Sequence, residues 1–341
     1  MLLINYLEDD GIERWNAYVN QHPEATFFHL AQWKGVLESA FGHKTYFLLA
    51  EDETGVLGVL PLAQVKSLLF GNSLVSTPFC VYGGVLADSD EIHEALINRA
   101  CDLADDLGVD YLEIRNRTQK NKDWPYKPLY YTFRKEIADN EEDNLKAIPR
   151  KQRAVVRKSL VQDLDATFGS DLDRFYTAYS TSVRNLGTPV FSKKYFKLLL
   201  EAFPEQSDTL TITKDDTLVA SVMNFYFRDE VLPYYGGGTE HARNLKGNDF
   251  MYWELMCESI KRGLKVFNYG RSKEGTGSFS YKKNWGFEPQ PLFYEYYLVK
   301  ATEVPDINPL NPKYQLMIKT WKKLPLAVSQ IIGPLVSKYL G

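Results

Sequence analysis

The sequence predicts an α/β (α+β) protein made of two copies of one domain plan, each a mixed, mostly antiparallel sheet flanked by helices. Three observations predict it. The chain has 341 residues, the length of two ordinary domains. It is 44% hydrophobic and 14% aromatic, with 22 Tyr and 19 Phe, so it can fill two sheet-rich cores. Third, the order of elements recurs: a pattern running through residues 81–117 returns in residues 234–272.

The elements follow in chain order. Residues 11–20 and 31–40 read as helices, and 46–50, 51–54 and 56–65 as strand, turn and strand. An aromatic strand then closes at Tyr82-Gly83-Gly84. A polar loop leads into an amphipathic helix, which Gly108 stops as a C-cap glycine does. The β-rich strand after it carries Arg115. The second half repeats the plan. Helices at 171–183 and 193–202 precede a strand, turn and strand at 209–213, 214–217 and 218–227. A further strand, 231–235, ends at Tyr235-Gly236-Gly237. The helix 249–262 stops at Gly263, and the strand after it carries Arg271. Recurrence of a whole plan implies duplication. The acidic run at 138–143 marks the boundary, giving domains 1–138 and 139–300 and a helical extension, 301–341.

Composition narrows the function. A net charge of −4 is not that of a general nucleic-acid binder. Cys80, Cys101 and Cys257 form no CxxC pair and read as reduced thiols in or near the core. The five His are scattered, so no metal site is expected, and no phosphate-binding P-loop or GxSxG elbow is present. The N-terminal residues lack the basic and apolar regions of a secretory signal.

Two stretches point to chemistry. In residues 267–289, FNYGRSKEGTGSFSYKKNWGFEP, a short strand runs into Gly270-Arg271-Ser272. A Gly/Ser loop then leads to Tyr281-Lys282-Lys283-Asn284-Trp285-Gly286. Glycines that admit a ligand beside cations that hold anions suggest a site, although a hairpin with a solvated loop has the same pattern. In residues 145–160, LKAIPRKQRAVVRKSL, six cations fall within 146–158. As one helix, this stretch turns Ile148, Val155, Val156 and Leu160 inward, with Pro149 in its first turn. Arg150, Arg153 and Arg157 then share a face, either solvated or built for phosphates.

The Gly270–Phe287 run, the 148–160 helix and the tandem layout together resemble the FemAB-like branch of the GNAT acyltransferase superfamily. Within it, they most resemble FemAB-related proteins associated with exosortase/PEP-CTERM exopolysaccharide systems. The resemblance covers roughly residues 1–300, extends weakly into the tail, and implies two GNAT domains with a cleft between them. It implies transfer of an acyl or aminoacyl group to an amine of a cell-envelope or exopolysaccharide precursor. The best-known members serve peptidoglycan and take the amino acid from aminoacyl-tRNA. In them an aromatic–Lys pair just before an aromatic–Gly lies near the acyl channel. Tyr281-Lys282 before Trp285-Gly286 matches it, with Lys283 as the other register. Two departures matter. Between Leu160 and Asp173 there is no room for the long helical arm of those members. And the stretch Asn244-Leu245-Lys246-Gly247-Asn248-Asp249 keeps only one glycine of the CoA pyrophosphate loop, with a carboxylate that opposes pyrophosphate.

On this basis Lys282 stabilises the developing negative charge or the leaving group, and Arg271 holds a substrate carboxylate or phosphate. Tyr235, with Gly236, Gly237 and Gly238, shapes the cleft. Asp249 either takes a proton from the attacking amine or caps its helix. Gly236, Gly237, Lys246, Gly247 and Lys283 are the donor-binding candidates. Arg150, Arg153, Arg157, Trp33 and Lys34 are the substrate-binding ones. No tightly bound cofactor is expected; the donor is aminoacyl-tRNA or acyl-CoA. Two other readings stand beside this one: an acyl-CoA-dependent N-acyltransferase on an amino sugar, and a catalytically silent GNAT pair serving as a binding or scaffold module. The tail breaks at Asn308-Pro309-Leu310-Asn311-Pro312. It then reads as a basic amphipathic helix, 313–323, and an interrupted apolar stretch, 324–341. That tail either lies in a membrane interface or packs back on the second domain. The expected place is the cytoplasm, at the inner face of the cytoplasmic membrane, near a lipid-linked glycan.

Overall fold

The computed structural model describes residues 1–68, 70–305 and 312–340. The chain forms two compact units. Unit 1 is Met1–Tyr130 with Pro291–Asp306 and Lys338–Gly341, and unit 2 is Tyr131–Gln290 with Ile307–Ser337.

Unit 1 runs β1 (Leu3–Tyr6), α1 (Ile12–Gln21), α2 (Trp33–Phe41), β2 (Lys44–Asp52), β3 (Gly55–Ser67), β4 (Gly71–Ser76), β5 (Leu86–Ala87), α3 (Asp90–Leu107) and β6 (Tyr111–Asn116). The sheet order is β1-β2-β3-β4-β6, completed by Phe293–Leu298 against β6, with β5 on β3. Its pairs are antiparallel except β4 with β6, which follows the α3 crossover. Ser89 starts α3 by accepting a hydrogen bond from Ile92 N, and Gly108 ends it at φ 55°. Alternate residues of the strands, such as Leu48, Leu60, Leu62 and Leu112, meet Leu96 and Ala100 of α3 in the core. One expectation fails here. Tyr82-Gly83-Gly84 does not end a strand: β4 stops at Ser76, and 77–85 is irregular. Gly83, at φ 145°, is pressed against Thr77, whose Oγ1 would lie 2.4 Å from an added Cβ.

Unit 2 runs β7 (Tyr130–Glu136), α4 (Glu141–Ala147), α5 (Arg150–Ser159), β8 (Asp165–Gly169), α6 (Leu172–Leu186), α7 (Lys193–Ala202), β9 (Ser207–Lys214), β10 (Thr217–Phe227) and β11 (Glu230–Gly238). It continues with α8 (Ala242–Leu245), α9 (Gly247–Lys261), β12 (Val266–Lys273), α10 (Gly277–Asn284) and β13 (Gln290–Pro291). After β14 (Phe293–Leu298), the strand of the first sheet, come α11 (Pro312–Trp321) and α12 (Leu326–Ser337). The second sheet has the order β13-β7-β12-β11-β10-β9-β8. As in unit 1, an antiparallel meander leads through a helix to a parallel strand. β11 and β12 pair only at Glu230↔Val266 and Val231↔Phe267, then part, while β11 runs on to Gly238.

Three further expectations shift. The acidic run is no linker. Asn140 caps α4 by accepting from Asp143 N at 2.9 Å, and Glu141, Glu142 and Asp143 favour the positive end of that helix. So β7, expected before the 138/139 boundary, belongs to the second sheet, and β14, expected after it, belongs to the first. Residues 145–160 are not one helix. Ile148 precedes a proline and is extended at ψ 131°, which separates α4 from α5. Ile148 and Val156 are buried as expected, but Leu160 is exposed. In the tail, the break at residues 308–311 lies outside the described residues, and α12 continues through Pro334. No helix among the described residues is long and apolar enough to cross a membrane.

Candidate active site

Unit 2 holds a cavity of about 440 Å³ at the start of α9. Close backbone approach shapes it. An added Cβ at Gly247 would lie 2.3 Å from Val219 Cγ1, and one at Gly238 would lie 2.4 Å from Ala242 Cβ. Only glycine lets α9 begin this close to β10. The residue before it, Lys246, adopts the left-handed φ of 56° and gives α9 no side-chain cap. The first turn of α9 therefore lies uncapped beside the cavity, with Lys246 and Arg243 among its lining residues.

Asp249 sits in that first turn and lines the cavity. Its Oδ1 accepts from Gln152 Nε2 of α5 at 2.6 Å and from the Tyr281 hydroxyl of α10 at 3.0 Å. Burial pushes the carboxyl above its ordinary pKa, against the pull of those two hydrogen bonds. Burial, with Tyr269 next, holds the Tyr281 phenol well above its ordinary value, so it remains a donor. Asn248 lines the same cavity, and its Oδ1 is enclosed with no hydrogen-bond partner among the described residues. A carboxylate of raised basicity and a phenol thus line one chamber. This set can bind an amine and take its proton.

Lys282 is placed differently. The expected Gly/Ser loop is largely the helix α10, which Thr276 caps by accepting from Phe279 N at 3.3 Å. From α10, Lys282 Nζ reaches back to β12 and donates to Gly270 O at 3.1 Å and Arg271 O at 3.0 Å. Its ammonium lies 5.4 Å from the Phe133 ring centroid. Burial first, and then the Arg271 charge, bring its pKa down to about 7. Lys282 ties α10 to β12 and so sets the position of its neighbour Tyr281; it is not among the lining residues of the Asp249 cavity.

Residues 143–283 match the family described as an acetyltransferase (GNAT) domain. Among solved structures the chain resembles FemX, with a TM-score of 0.68 and 14% identity over 93% of this chain and 100% of that one. It also resembles a tandem GNAT protein from the clavulanic acid biosynthesis pathway, with a TM-score of 0.54 and 12% identity over 89% of this chain and 100% of that one. The chain has a tandem GNAT fold. A third likeness is L-PGS from Bacillus licheniformis, with a TM-score of 0.53 and 12% identity over 94% of this chain and 96% of that one. No curated protein matches the chain. The tandem GNAT fold expected from the sequence is thus present, and the GNAT match spans the cavity, from α5 to Tyr281.

The structure brings Asp249, Lys246 and Gly238 of the expected residues to the cavity, and disperses others. Asp249 does not cap its helix: α9 starts two residues earlier, at Gly247. Gly237 serves packing, since an added Cβ would lie 2.4 Å from Ser182 Cβ and 2.7 Å from Ala178 O of α6. Gly236 is constrained less, with Val222 Cγ2 at 3.0 Å. Tyr235 joins an aromatic cluster: its hydroxyl lies 2.9 Å from that of Tyr195, and its ring packs edge-on against Phe196. Arg271 stays partly buried on β12, and Lys283 is exposed. Arg150 and Arg157 are exposed, while Arg153 is partly buried, its Nε enclosed without a hydrogen-bond partner among the described residues. Trp33 is not a contact surface: it is fully buried in unit 1 and donates to Phe27 O at 3.1 Å. Lys34 pairs with Glu38 one turn on, at 3.4 Å. Sequence reasoning missed Gln152. Its signal was a polar residue in step with Val156 and Ser159 on the buried face of a basic helix.

Proposed function

We propose that this chain is an N-acyl or aminoacyl transferase whose reacting centre is the Asp249 cavity of unit 2. Its acceptor is an amine of a cell-envelope or exopolysaccharide precursor. The observation that carries the reading is the Asp249 carboxylate, half-buried at the cavity and held by Gln152 and Tyr281. The acceptor nitrogen attacks the carbonyl carbon of an ester or thioester donor. A C–N bond forms, the C–O or C–S bond breaks, and the amine proton passes to Asp249. The departing alkoxide or thiolate takes a proton, with the Tyr281 hydroxyl as the nearby source, and Tyr281 is restored from Asp249 across their hydrogen bond. The uncapped first turn of α9, with Lys246 and Arg243, gives a phosphate-bearing donor a place to rest.

The connection after α5 favours a second reading of the donor, acyl-CoA in place of aminoacyl-tRNA. The α5–α6 connection holds only the short strand β8, with no helical arm. The test is amide formation, followed by mass, with acetyl-CoA, longer acyl-CoAs and aminoacyl-tRNA as donors and UDP-amino sugars and peptidoglycan precursors as acceptors. Amide from one donor class supports the transferase and names its donor. Absence of amide from every pair, together with no thermal shift by any donor, would leave the silent binding pair in its place.

A further inference from the structure

Helix α12 has its polarity reversed for a surface helix. Its buried residues are small: Ser329, Gly333 and Ser337, each one turn from the next. At Gly333 an added Cβ would lie 2.7 Å from Val190 Cγ2 and 2.8 Å from Val190 O. Ser337 Oγ donates to Val190 O at 3.0 Å, and Gln330 Nε2 donates to Ser180 Oγ of α6 at 2.8 Å. At 100° per residue, the opposite face carries Ala327, Ile331 and Leu335. Ile331 is 73% exposed and Leu335 is 62% exposed. Helices of soluble folds turn their apolar stripe to the core. Here the fully buried positions are small or polar, with Leu326 and Val336 half-buried beside them, so packing within the unit does not account for the apolar ridge.

The charged residues of the segment that carries the ridge have one sign. Lys319, Lys322 and Lys323 are exposed on α11 and at its junction with α12. Residues 307–341 hold five Lys and no Asp or Glu, in a chain of net charge −4. The α12 helix has 12 residues, about 18 Å of length, and no described helix can cross a bilayer. An apolar ridge preceded in the chain by exposed cations fits a lipid interface, with side chains at the acyl boundary and ammonium groups on phosphates. Pairing of two copies through this ridge would instead bring together two segments whose only charged side chains are lysines.

We propose that α12 docks the protein peripherally on an anionic lipid bilayer, with Ile331 and Leu335 in the interface and Lys319, Lys322 and Lys323 on the headgroups. The inference does not depend on the transferase reading. It is tested by flotation of the full chain with phosphatidylcholine vesicles, with and without phosphatidylglycerol, at low and high salt. Wild type should bind the phosphatidylglycerol vesicles, and bind less at high salt. Ile331→Ser/Leu335→Ser should lower binding at least tenfold. Lys322→Gln/Lys323→Gln should lower it roughly fivefold per charge removed. Circular dichroism should show an unchanged fold in both variants, and if the serine pair misfolds, the lysine pair and the salt response still decide. Equal binding by wild type and both variants, or no binding to anionic vesicles, overturns the proposal. So does a dimer of wild type that the serine pair abolishes, seen without vesicle binding.

Discussion

The two units run the same order of meander, helix and parallel strand, yet they start the shared helix in opposite ways. In unit 1, Ser89 caps α3, and Asp90 and Glu91 fill its first turn. Those side chains already meet the positive end of the helix. In unit 2, α9 begins without a side-chain cap, after a lysine in left-handed backbone, beside a 440 Å³ cavity. The arginines on the following strands differ too. Arg115 is buried, paired with Glu113 at 2.7 Å and donating to Cys80 O at 2.7 Å. Unit 1 does have a pocket, of about 150 Å³, but its inner groups satisfy one another: His29 Nε2 lies 3.1 Å from Gly84 O. Burial brings the His29 pKa down to about 3, so it is a neutral structural group. The α3 start is thus capped by a protein side chain, and the α9 start is not.

The largest expected effect lies on Asp249. If its carboxylate takes the proton, kcat/KM should rise with pH and level off above a midpoint higher than an ordinary carboxylate's, because burial raises that pKa. A flat profile from pH 4 to 8 would break the assignment. Next comes Gly237→Ala. Its Cβ would meet Ser182 Cβ and the Ala178 carbonyl, so the denaturant midpoint should fall by an amount equal to about 1–3 kcal/mol. Lys282→Met sharpens the contrast through pH. With its pKa at about 7 in the fold against an ordinary 10.5, wild type lacks a proton that the unfolded chain binds between those values. Wild-type stability therefore gains with pH across that window. The melting temperature of Lys282→Met relative to wild type should be highest below pH 7 and should fall towards pH 10. A pH-independent difference would mean the ammonium is not buried as described. The smallest effect compares the two helix starts. Ser89→Ala should destabilise by about 1 kcal/mol and leave kcat alone. Lys246→Gly should stabilise by up to about 1 kcal/mol, through relief of its φ of 56°, and weaken donor binding.

Much of the fold was legible because periodicity and punctuation agree. Residues 193–202 form α7 as expected, and Gly108 and Gly263 both take the positive φ of helix ends. The errors have local causes. Thr276 turned a glycine-rich stretch into α10, since one capping side chain can outweigh low helix propensity. The Ile148–Pro149 step divided a basic segment whose composition looked continuous. The site was half legible. Asp249 and Lys246 stood out from the altered glycine loop, but Gln152 reaches Asp249 across 97 residues of sequence. No local pattern reports such a contact. Lys282 stood out as a cation, and only its bonds to two carbonyls show it holding α10 in place.

The central claim is that the chemistry belongs to unit 2 and not to the matching place in unit 1. It is tested most directly by measuring product formation, with whichever donor the panel yields, for Asp249→Asn and for Arg117→Ala of the unit 1 pocket, side by side. The account predicts that Asp249→Asn loses about 10²–10⁴ in kcat at an unchanged fold, while Arg117→Ala keeps kcat within a few-fold of wild type. Full turnover in Asp249→Asn, with turnover lost in Arg117→Ala, would contradict it.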